Sequence, residues 1–193
     1  MPESALGTFA PAPRVVCRPV IEETEATALY PIYEATFGHL RTLAAARHVL
    51  DLEEFVEEMG DDRIDKYVAE TDEGGFLGLS TLARDLAAVP WASPEYYVRL
   101  HPEHAARGAI WYLGFTMVDA SAQRGGTFHA MLEEMMVQAR RAGVVVGWDA
   151  CGFNIDETGI NDAIIRAVQR GRGVTAEVDR QAYFTVDFSG GPG

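Results

Sequence analysis

The stretch of sequence that decides the fold runs from Ile110 to Gly143 and reads IWYLGFTMVDASAQRGGTFHAMLEEMMVQARRAG. Residues 110–118 are mostly apolar, aromatic or β-branched, which is typical of a buried strand. Residues 127–142 place apolar side chains at helical spacings, which predicts an amphipathic helix that ends at Gly143. The short loop between them contains Gly125 and Gly126. We therefore predict a strand, a glycine turn and a helix.

A helix that begins directly after a strand and a glycine turn offers a site for phosphate. Its first main-chain N–H groups have no partner within the helix, and the helix dipole favours negative charge there. The alternative interpretation is that Gly125 and Gly126 only make a tight connection. No Walker loop and no early dinucleotide fingerprint is present in the sequence.

The segments on either side of this stretch predict one mixed sheet with helices. Before it we predict a strand over 14–21, helices over 23–37 and 51–59, and a hairpin of strands over 66–71 and 75–82. After it we predict a strand over 144–151, a helix over 157–170, and one or two strands within 174–188. Pro31 is expected to kink or break the first helix. This order predicts an α/β (α+β) fold, a single mixed sheet flanked by helices on both faces.

The domain organisation is simple. The chain has 193 residues, which suits one domain over 14–188, with flexible tails at 1–13 and 189–193. Residues 87–108 contain several prolines and the aromatic residues Trp91, Tyr96 and Tyr97. Long loops inside compact domains are often functional, so we expect this one to lie over the site.

Composition excludes some classes of protein. The chain has 16 basic and 29 acidic residues, a net charge of −13, which argues against binding to nucleic acid. The acidity suits cationic acceptors, although it often serves only solubility. We expect no segment to cross a membrane, and residues 1–13 are predicted to be a loose tail rather than a signal peptide. Cys17 and Cys151 are expected to be buried free thiols, as in a cytoplasmic protein.

The order of elements and two motifs resemble the GNAT acetyltransferase superfamily. In the first motif, Val118 is followed five residues later by Gln123, Arg124, Gly125, Gly126, Thr127 and Phe128. The resemblance implies acetyl-CoA or another acyl-CoA as co-substrate. It also implies that main-chain groups of Met117 and Val118 hold the pantetheine arm, and that the N–H groups of residues 123–128 surround the diphosphate. The second motif consists of Asn161, Ala163, Ile164 and Gly171. The resemblance implies that Asn161 contacts the cofactor, and the alternative is an ordinary helix cap.

Transfer of an acyl group from a thioester to an amine needs a proton acceptor, donors for the oxyanion and a proton for the thiolate. Tyr112 and Thr116 share one face of the central strand and could hold a water molecule that relays the proton. Asp149 and Tyr183 are further candidates. The alternatives are strand packing for Tyr112, Thr116 and Tyr183, and pairing with an arginine for Asp149.

Other chemistry is not indicated. His101 and His104 flank Pro102 and have no evident third ligand, so we expect no metal site. No Gly-x-Ser-x-Gly elbow is present for a Ser-His-Asp hydrolase.

Our first interpretation is an acyl-CoA-dependent N-acyltransferase that acts on a small-molecule amine by direct attack. It would act as a monomer or as a homodimer. A second interpretation is a GNAT-like protein that binds acyl-CoA or another ligand without transfer. Phe128 favours it, as does Ala167 where the family has a tyrosine. A third is an interaction domain that docks a partner through the Trp- and Tyr-lined loop.

Overall fold

A five-stranded sheet with strand order β1-β2-β3-β4-β5 forms the centre of the molecule. The computed structural model describes residues 13–46, 49–123, 126–187 and 189. The strands are β1 (Arg14–Arg18), β2 (Ile64–Glu70), β3 (Phe76–Ala83), β4 (Ile110–Val118) and β5 (Val145–Gly147). The first four are antiparallel to their neighbours, whereas β4 and β5 are parallel. The sheet is therefore mixed, as predicted.

The helices are interspersed along the chain between these strands. They are α1 (Glu23–Phe37), α2 (Leu40–Leu43), α3 (Leu52–Gly60), α4 (Pro94–Leu100), α5 (Pro102–Ala105), α6 (Thr127–Ala142), α7 (Gly152–Asp156) and α8 (Ile160–Arg170). Short 3-10 turns cover Leu86–Ala88 and Ala120–Ala122. Within the described ranges, no helix combines the length and apolar character needed to cross a bilayer.

Local sequence signals set the ends of two helices. The Asp51 carboxylate accepts from the Glu54 N–H at 3.0 Å, and the Glu54 carboxylate accepts from the Asp51 N–H at 2.9 Å. This is the capping box predicted for α3. The helix α6 ends at Gly143, whose φ of 61° is the left-handed conformation that favours glycine. Both boundaries confirm the sequence predictions.

Helices cover both faces of the sheet. On one face, α1 and α3 enclose an aromatic cluster in which the Tyr33 ring lies 4.9 Å from the rings of Phe55 and Phe115. On the other face, α6 and α8 bury Leu132 and Ala167 in a cluster that includes residues of the sheet. The predicted fold class is confirmed.

Several predicted elements differ from the structure. Residues 174–187 contain no strand, and Val174 and Phe184 are almost fully exposed; their apolar pattern finds no partner edge. The helix predicted over 157–170 begins only at Ile160, as α8, after Gly159 with its φ of 66°, and the short helix α7 before it was not predicted. The strand predicted over 144–151 is shortened to β5. These errors all fall in the C-terminal third, where local pattern competes with weak tertiary support.

Two smaller expectations are also corrected. The helix α1 continues through Pro31 without a break. Cys17 is exposed, because it lies on the edge strand β1, whereas Cys151 is half-buried; both are free thiols. The predicted N-terminal tail, apart from residue 13, and most of the predicted C-terminal tail lie outside the described residues.

The aromatic cluster gives a direct test of this packing. We expect Phe55→Ala to lower the free energy of unfolding by about 3–5 kcal/mol, because Phe55 is 0% exposed and contacts three aromatic rings. On the same helix, Leu52 is 42% exposed, so Leu52→Ala should cost less than about 1 kcal/mol. Urea unfolding measures both, and equal losses would contradict this packing.

Candidate functional site

The parallel pairing of β4 with β5 stops halfway along β4. It joins Ile110 to Val145 and ends at Tyr112 and Gly147. On its other side, β4 remains paired with β3 as far as Val118. Within the described part of the chain, residues 113–118 therefore have no strand partner on the side away from β3. We call this side of residues 113–118 the open edge.

Main-chain groups at the open edge follow from the register of the ladder. The Asp119 N–H donates to the Leu77 carbonyl at 2.9 Å. Because alternate pairs of an antiparallel ladder exchange hydrogen bonds, the main chain of Met117 faces β3. The main-chain groups of Thr116 and Val118 then face the open edge. They form an unpaired acceptor and donor row on which an extended ligand can add as a strand.

Two side chains just beyond β5 form hydrogen bonds to other elements. The Tyr112 hydroxyl donates to Asp149 Oδ1 at 2.6 Å, and the indole N–H of Trp148 donates to Asn161 Oδ1 at 2.9 Å. Consecutive residues are thus tied to β4 and to α8. Tyr112 and Asp149, both predicted as site residues, contact each other at this junction, whereas Asn161, also predicted, contacts Trp148. Asp149 follows the strand and is exposed, rather than lying in a buried strand.

The Tyr112 hydroxyl keeps its proton at this junction. Burial, followed by the nearby negative charge of Asp149, raises the pKa of Tyr112 far above its usual range. The other residue of the predicted relay, Thr116, forms a hydroxyl–hydroxyl hydrogen bond of 2.6 Å with Ser80 on β3. Both hydroxyls are therefore engaged within the protein.

A β-bulge lies next to the junction. Ser80 pairs with Thr116 but Leu82 pairs with Leu113, so β4 carries one extra residue at Gly114 and Phe115. The Phe115 N–H donates to the Thr81 hydroxyl at 3.2 Å. A Cβ atom on Gly114 would lie 2.3 Å from Thr81 Oγ1. The bulge therefore requires glycine.

The start of α6 lies just past the open edge. Gly126 has a φ of 78° and no neighbour within 4 Å of a built Cβ atom. The N–H of Ala130 bonds to the Gly126 carbonyl, so the N–H groups of residues 127–129 precede the first helical bond. Gln123 is exposed and Thr127 is buried. Arg124 and Gly125 lie outside the described residues.

Gly78 on β3 lets the helix start approach the sheet. A Cβ atom there would lie 2.8 Å from the Met117 carbonyl oxygen and 3.2 Å from Thr127 Cγ2. Both contacts are shorter than real Cβ atoms normally make. The absence of a side chain at this position therefore sets the spacing between the end of β4 and the first turn of α6.

The remaining predicted residues are placed as follows. Phe128 is half-buried and packs against the cluster between α6, α8 and the sheet. Met117 is 0% exposed and belongs to the core on the opposite face. Tyr183 is 54% exposed on the C-terminal segment. Ala167 is buried in α8, so no hydroxyl is present at that position.

Sequence reasoning missed Glu58, which lies on α3. Together with Thr81, Tyr112 and Gly114 it lines a small concavity of about 10 Å³, which is room for about one water molecule. Loss of solvation raises the pKa of Glu58 to about 7, although a hydrogen bond from Thr81 and the charge of Lys66 lower it in part. The sequence feature that could have identified Glu58 is its position on the buried face of α3, three residues after Phe55 and next to Met59.

The other walls of the concavity are apolar. They include Ile64 and Val89, together with Trp91 from the loop predicted to cover the site. Tyr97 from the same loop packs edge-on against Tyr112, with ring centroids 6.0 Å apart. The loop therefore borders the junction.

Lys66 on β2 is near enough to Glu58 for their charges to interact, and it is 0% exposed. Its ammonium group donates to the carbonyl oxygens of Pro19, at 2.9 Å, and Asp61. Burial lowers the pKa of Lys66 to about 8, and the charges of Glu58 and Asp61 oppose this shift. Within the described residues, no group of three or more His, Cys, Asp or Glu side chains is arranged to hold a metal ion.

Comparison with known proteins identifies the fold. No protein-family model and no curated protein sequence matches the chain. Among solved structures, an aminoglycoside acetyltransferase from an uncultured soil metagenomic sample, in complex with sisomicin, matches with a TM-score of 0.52 and 16% identity. That match covers 91% of this chain and 97% of the other.

Two further structures match at similar levels. A ribosomal-protein-alanine N-acetyltransferase from Brucella melitensis biovar Abortus 2308 has a TM-score of 0.50 and 13% identity over 92% of this chain and 100% of its own. An N-acetyltransferase from Staphylococcus aureus Mu50 has a TM-score of 0.50 and 20% identity over 82% of each chain. The chain has the fold of the GNAT acetyltransferases, which confirms the resemblance at the level of the fold.

The bulge can be tested by a double-mutant cycle. We expect Gly114→Ala to destabilise the protein by about 1–3 kcal/mol, because the new methyl group would clash with the Thr81 hydroxyl. Thr81→Ala removes that hydroxyl, so the cost of Gly114→Ala should fall by at least about 1 kcal/mol in its presence. Additive effects in urea unfolding would show that the two residues do not touch.

Proposed function

We propose that this protein is an acyl-CoA-dependent N-acyltransferase that moves an acetyl or other acyl group to the amine of a small molecule. The observation that carries the proposal is the open edge of β4, which leads directly to the start of α6. An extended amide-containing arm needs a free strand edge, and a diphosphate needs unpaired N–H groups. The two features occur here in that order along one segment.

Each part of an acyl-CoA has a complementary part of the chain. The main-chain groups of Thr116 and Val118 would pair with the pantetheine amides, while the buried side chain of Met117 anchors the strand. The N–H groups of the first turn of α6, at Thr127 and Phe128, would bind the diphosphate. Gln123, Arg124, Gly125 and Gly126 would form the loop around it.

The acyl-CoA would supply an activated thioester, and the chain would supply orientation. The hydrogen bond from Tyr112 to Asp149 would fix the segment after β5 relative to β4. The hydrogen bond from Trp148 to Asn161 would fix the same segment relative to α8. A main-chain N–H near Met117 and Val118 would polarise the thioester carbonyl. Thr116 would position the strand through Ser80, and Tyr183 remains a candidate proton donor.

The acceptor is proposed to be a small amine. The aminoglycoside acetyltransferase with the same fold was solved with sisomicin, and the net charge of −13 favours a cationic acceptor over an anionic one. A second candidate function is binding of an acyl-CoA without transfer. It is favoured by the buried methyl group of Ala167, where the family resemblance places a tyrosine that protonates the thiolate.

Thermal unfolding with and without acetyl-CoA tests the proposal. At about 100 times its dissociation constant, the ligand should raise the melting temperature by about 5–10 °C. Release of free CoA thiol in the presence of a panel of primary amines then separates transfer from binding alone. No shift at saturating acetyl-CoA would refute both candidate functions.

The start of α6 can be tested with a matched pair of variants. Gly126→Val should remove the shift produced by acetyl-CoA, because a β-branched residue disfavours a φ of 78° and distorts the loop. Gly74, in the β2–β3 turn, has a φ of 84° and equally open surroundings. Gly74→Val should therefore lower the melting temperature similarly and leave the shift intact. A full shift in Gly126→Val would place the phosphate site elsewhere.

A further inference from the structure

The open edge of β4 is closed at the end farther from α6. Just before that end, Tyr112 pairs with Gly147, and the Tyr97 ring packs edge-on against Tyr112. A Cβ atom on Gly147 would lie 3.0 Å from Cε1 of Tyr97 and 3.0 Å from Cδ2 of Tyr112. The strands and the two rings therefore leave no space between them. A ligand that extends along the open edge from α6 has to end before Tyr112.

The two faces of the sheet differ at this closed end. On the α6 face, Leu113 is 3% exposed and belongs to the cluster that contains Leu132 and Met135. On the α3 face, the concavity lined by Gly114 and Thr81 has a volume of about 10 Å³. That is room for about one water molecule, and a methyl group is of similar size. The α3 face therefore offers a space, but a very small one.

The direction of a bound acyl-CoA brings its acyl end toward this concavity. The start of α6 follows the C-terminal end of β4. An arm whose diphosphate lies at α6 therefore runs along Val118 and Thr116 toward Gly114. Gly114 is exposed and also lines the concavity. Because Gly114 has no side chain, the end of the arm reaches the concavity across bare main chain.

We propose that the acyl group of the donor ends at this concavity, so that the site admits an acetyl group and excludes longer acyl chains. Val89, Ile64 and Ala88, which line the concavity, are the residues that set this limit. The inference rests on the proposed function and names the donor that the same site selects.

The apolar walls of the concavity account for the limit. Val89 and Ile64 are 3% and 6% exposed, and both lie in the buried cluster that contains Tyr112. A methyl group between them gains apolar contacts without displacing a side chain. Each further methylene has to move a buried side chain, which packed cores resist. The cost therefore increases with the length of the acyl chain.

The polar groups of the concavity are compatible with an apolar occupant. The Thr81 hydroxyl accepts from the Phe115 N–H and forms a hydrogen bond with Glu58. Within the described residues, every buried side-chain nitrogen or oxygen atom has a hydrogen-bond partner. A methyl group therefore leaves no buried donor or acceptor without a partner. A polar group would gain little there.

Calorimetric titration of the wild-type protein tests the limit without an acceptor. The ligands are CoA, acetyl-CoA and butyryl-CoA. We expect acetyl-CoA to bind at least as tightly as CoA. Butyryl-CoA should bind about 10-fold or more weakly than acetyl-CoA, because one methylene in a tight pocket already changes binding by about 10-fold or more.

Enlarging the concavity should relax the limit. Val89→Ala removes two methyl groups from the wall, so acetyl-CoA and butyryl-CoA should bind within about threefold of each other. Val68→Ala is the matched control, because Val68 is 2% exposed and lies in a different buried cluster, away from the concavity. It makes the same change in the core and should keep the wild-type difference between the two ligands.

Filling the concavity should act in the opposite direction. Ala88 is a half-buried residue of the same wall. Ala88→Val should weaken the binding of acetyl-CoA by about 10-fold or more and leave the binding of CoA within about threefold of wild type, since CoA has no acyl group. This variant tests the wall even if Val89→Ala does not fold.

The outcomes distinguish the two proposals. No binding of CoA or acetyl-CoA by wild type overturns the proposed function and this inference together. Equal binding of acetyl-CoA and butyryl-CoA by wild type overturns only the limit on the acyl chain. Unchanged acetyl-CoA binding in Ala88→Val, or equal relaxation in Val89→Ala and Val68→Ala, overturns the assignment of these walls.

Discussion

Hydrogen bonding between β4 and β5 stops at Tyr112 and Gly147, and the rest of the site depends on that stop. Continued pairing would use the main-chain groups of Thr116 and Val118 and leave no free edge. The stop is built from local chemistry, because Trp148 and Asp149 are fastened to different neighbours directly after the strand. Because β5 is short, part of the β4 main chain has no strand partner among the described residues. Those main-chain groups need another hydrogen-bond partner.

The bulge in β4 combines with this stop to give the groove two sides. On the α6 side, residues 113–118 have no strand partner among the described residues. On the α3 side, the carboxyl group of Glu58 and the hydroxyl of Thr81 lie beside Tyr112 and Gly114. One irregular strand thus has an unpaired edge and a mostly buried carboxyl group next to it.

Features that depend on neighbouring residues were predicted from the sequence, whereas features that depend on distant contacts were missed. The capping box at Asp51, the helix end at Gly143 and the strand–turn–helix segment all follow from neighbouring residues, and the structure confirms them. The strands predicted within 174–188 are wrong for the described residues, because alternation alone does not supply a partner edge. Glu58 went unnoticed because the glutamates of α3 look alike until Thr81 and Gly114 are brought beside one of them by the sheet.

Gly78 sets the separation between the end of β4 and the start of α6. Because it has no side chain, the first turn of the helix packs directly against the main chain of the sheet. Any side chain there would add its own width to that separation. The distance between the end of β4 and the first turn of α6 is therefore set by a buried residue. A change in that distance does not require a change in the residues at the open edge.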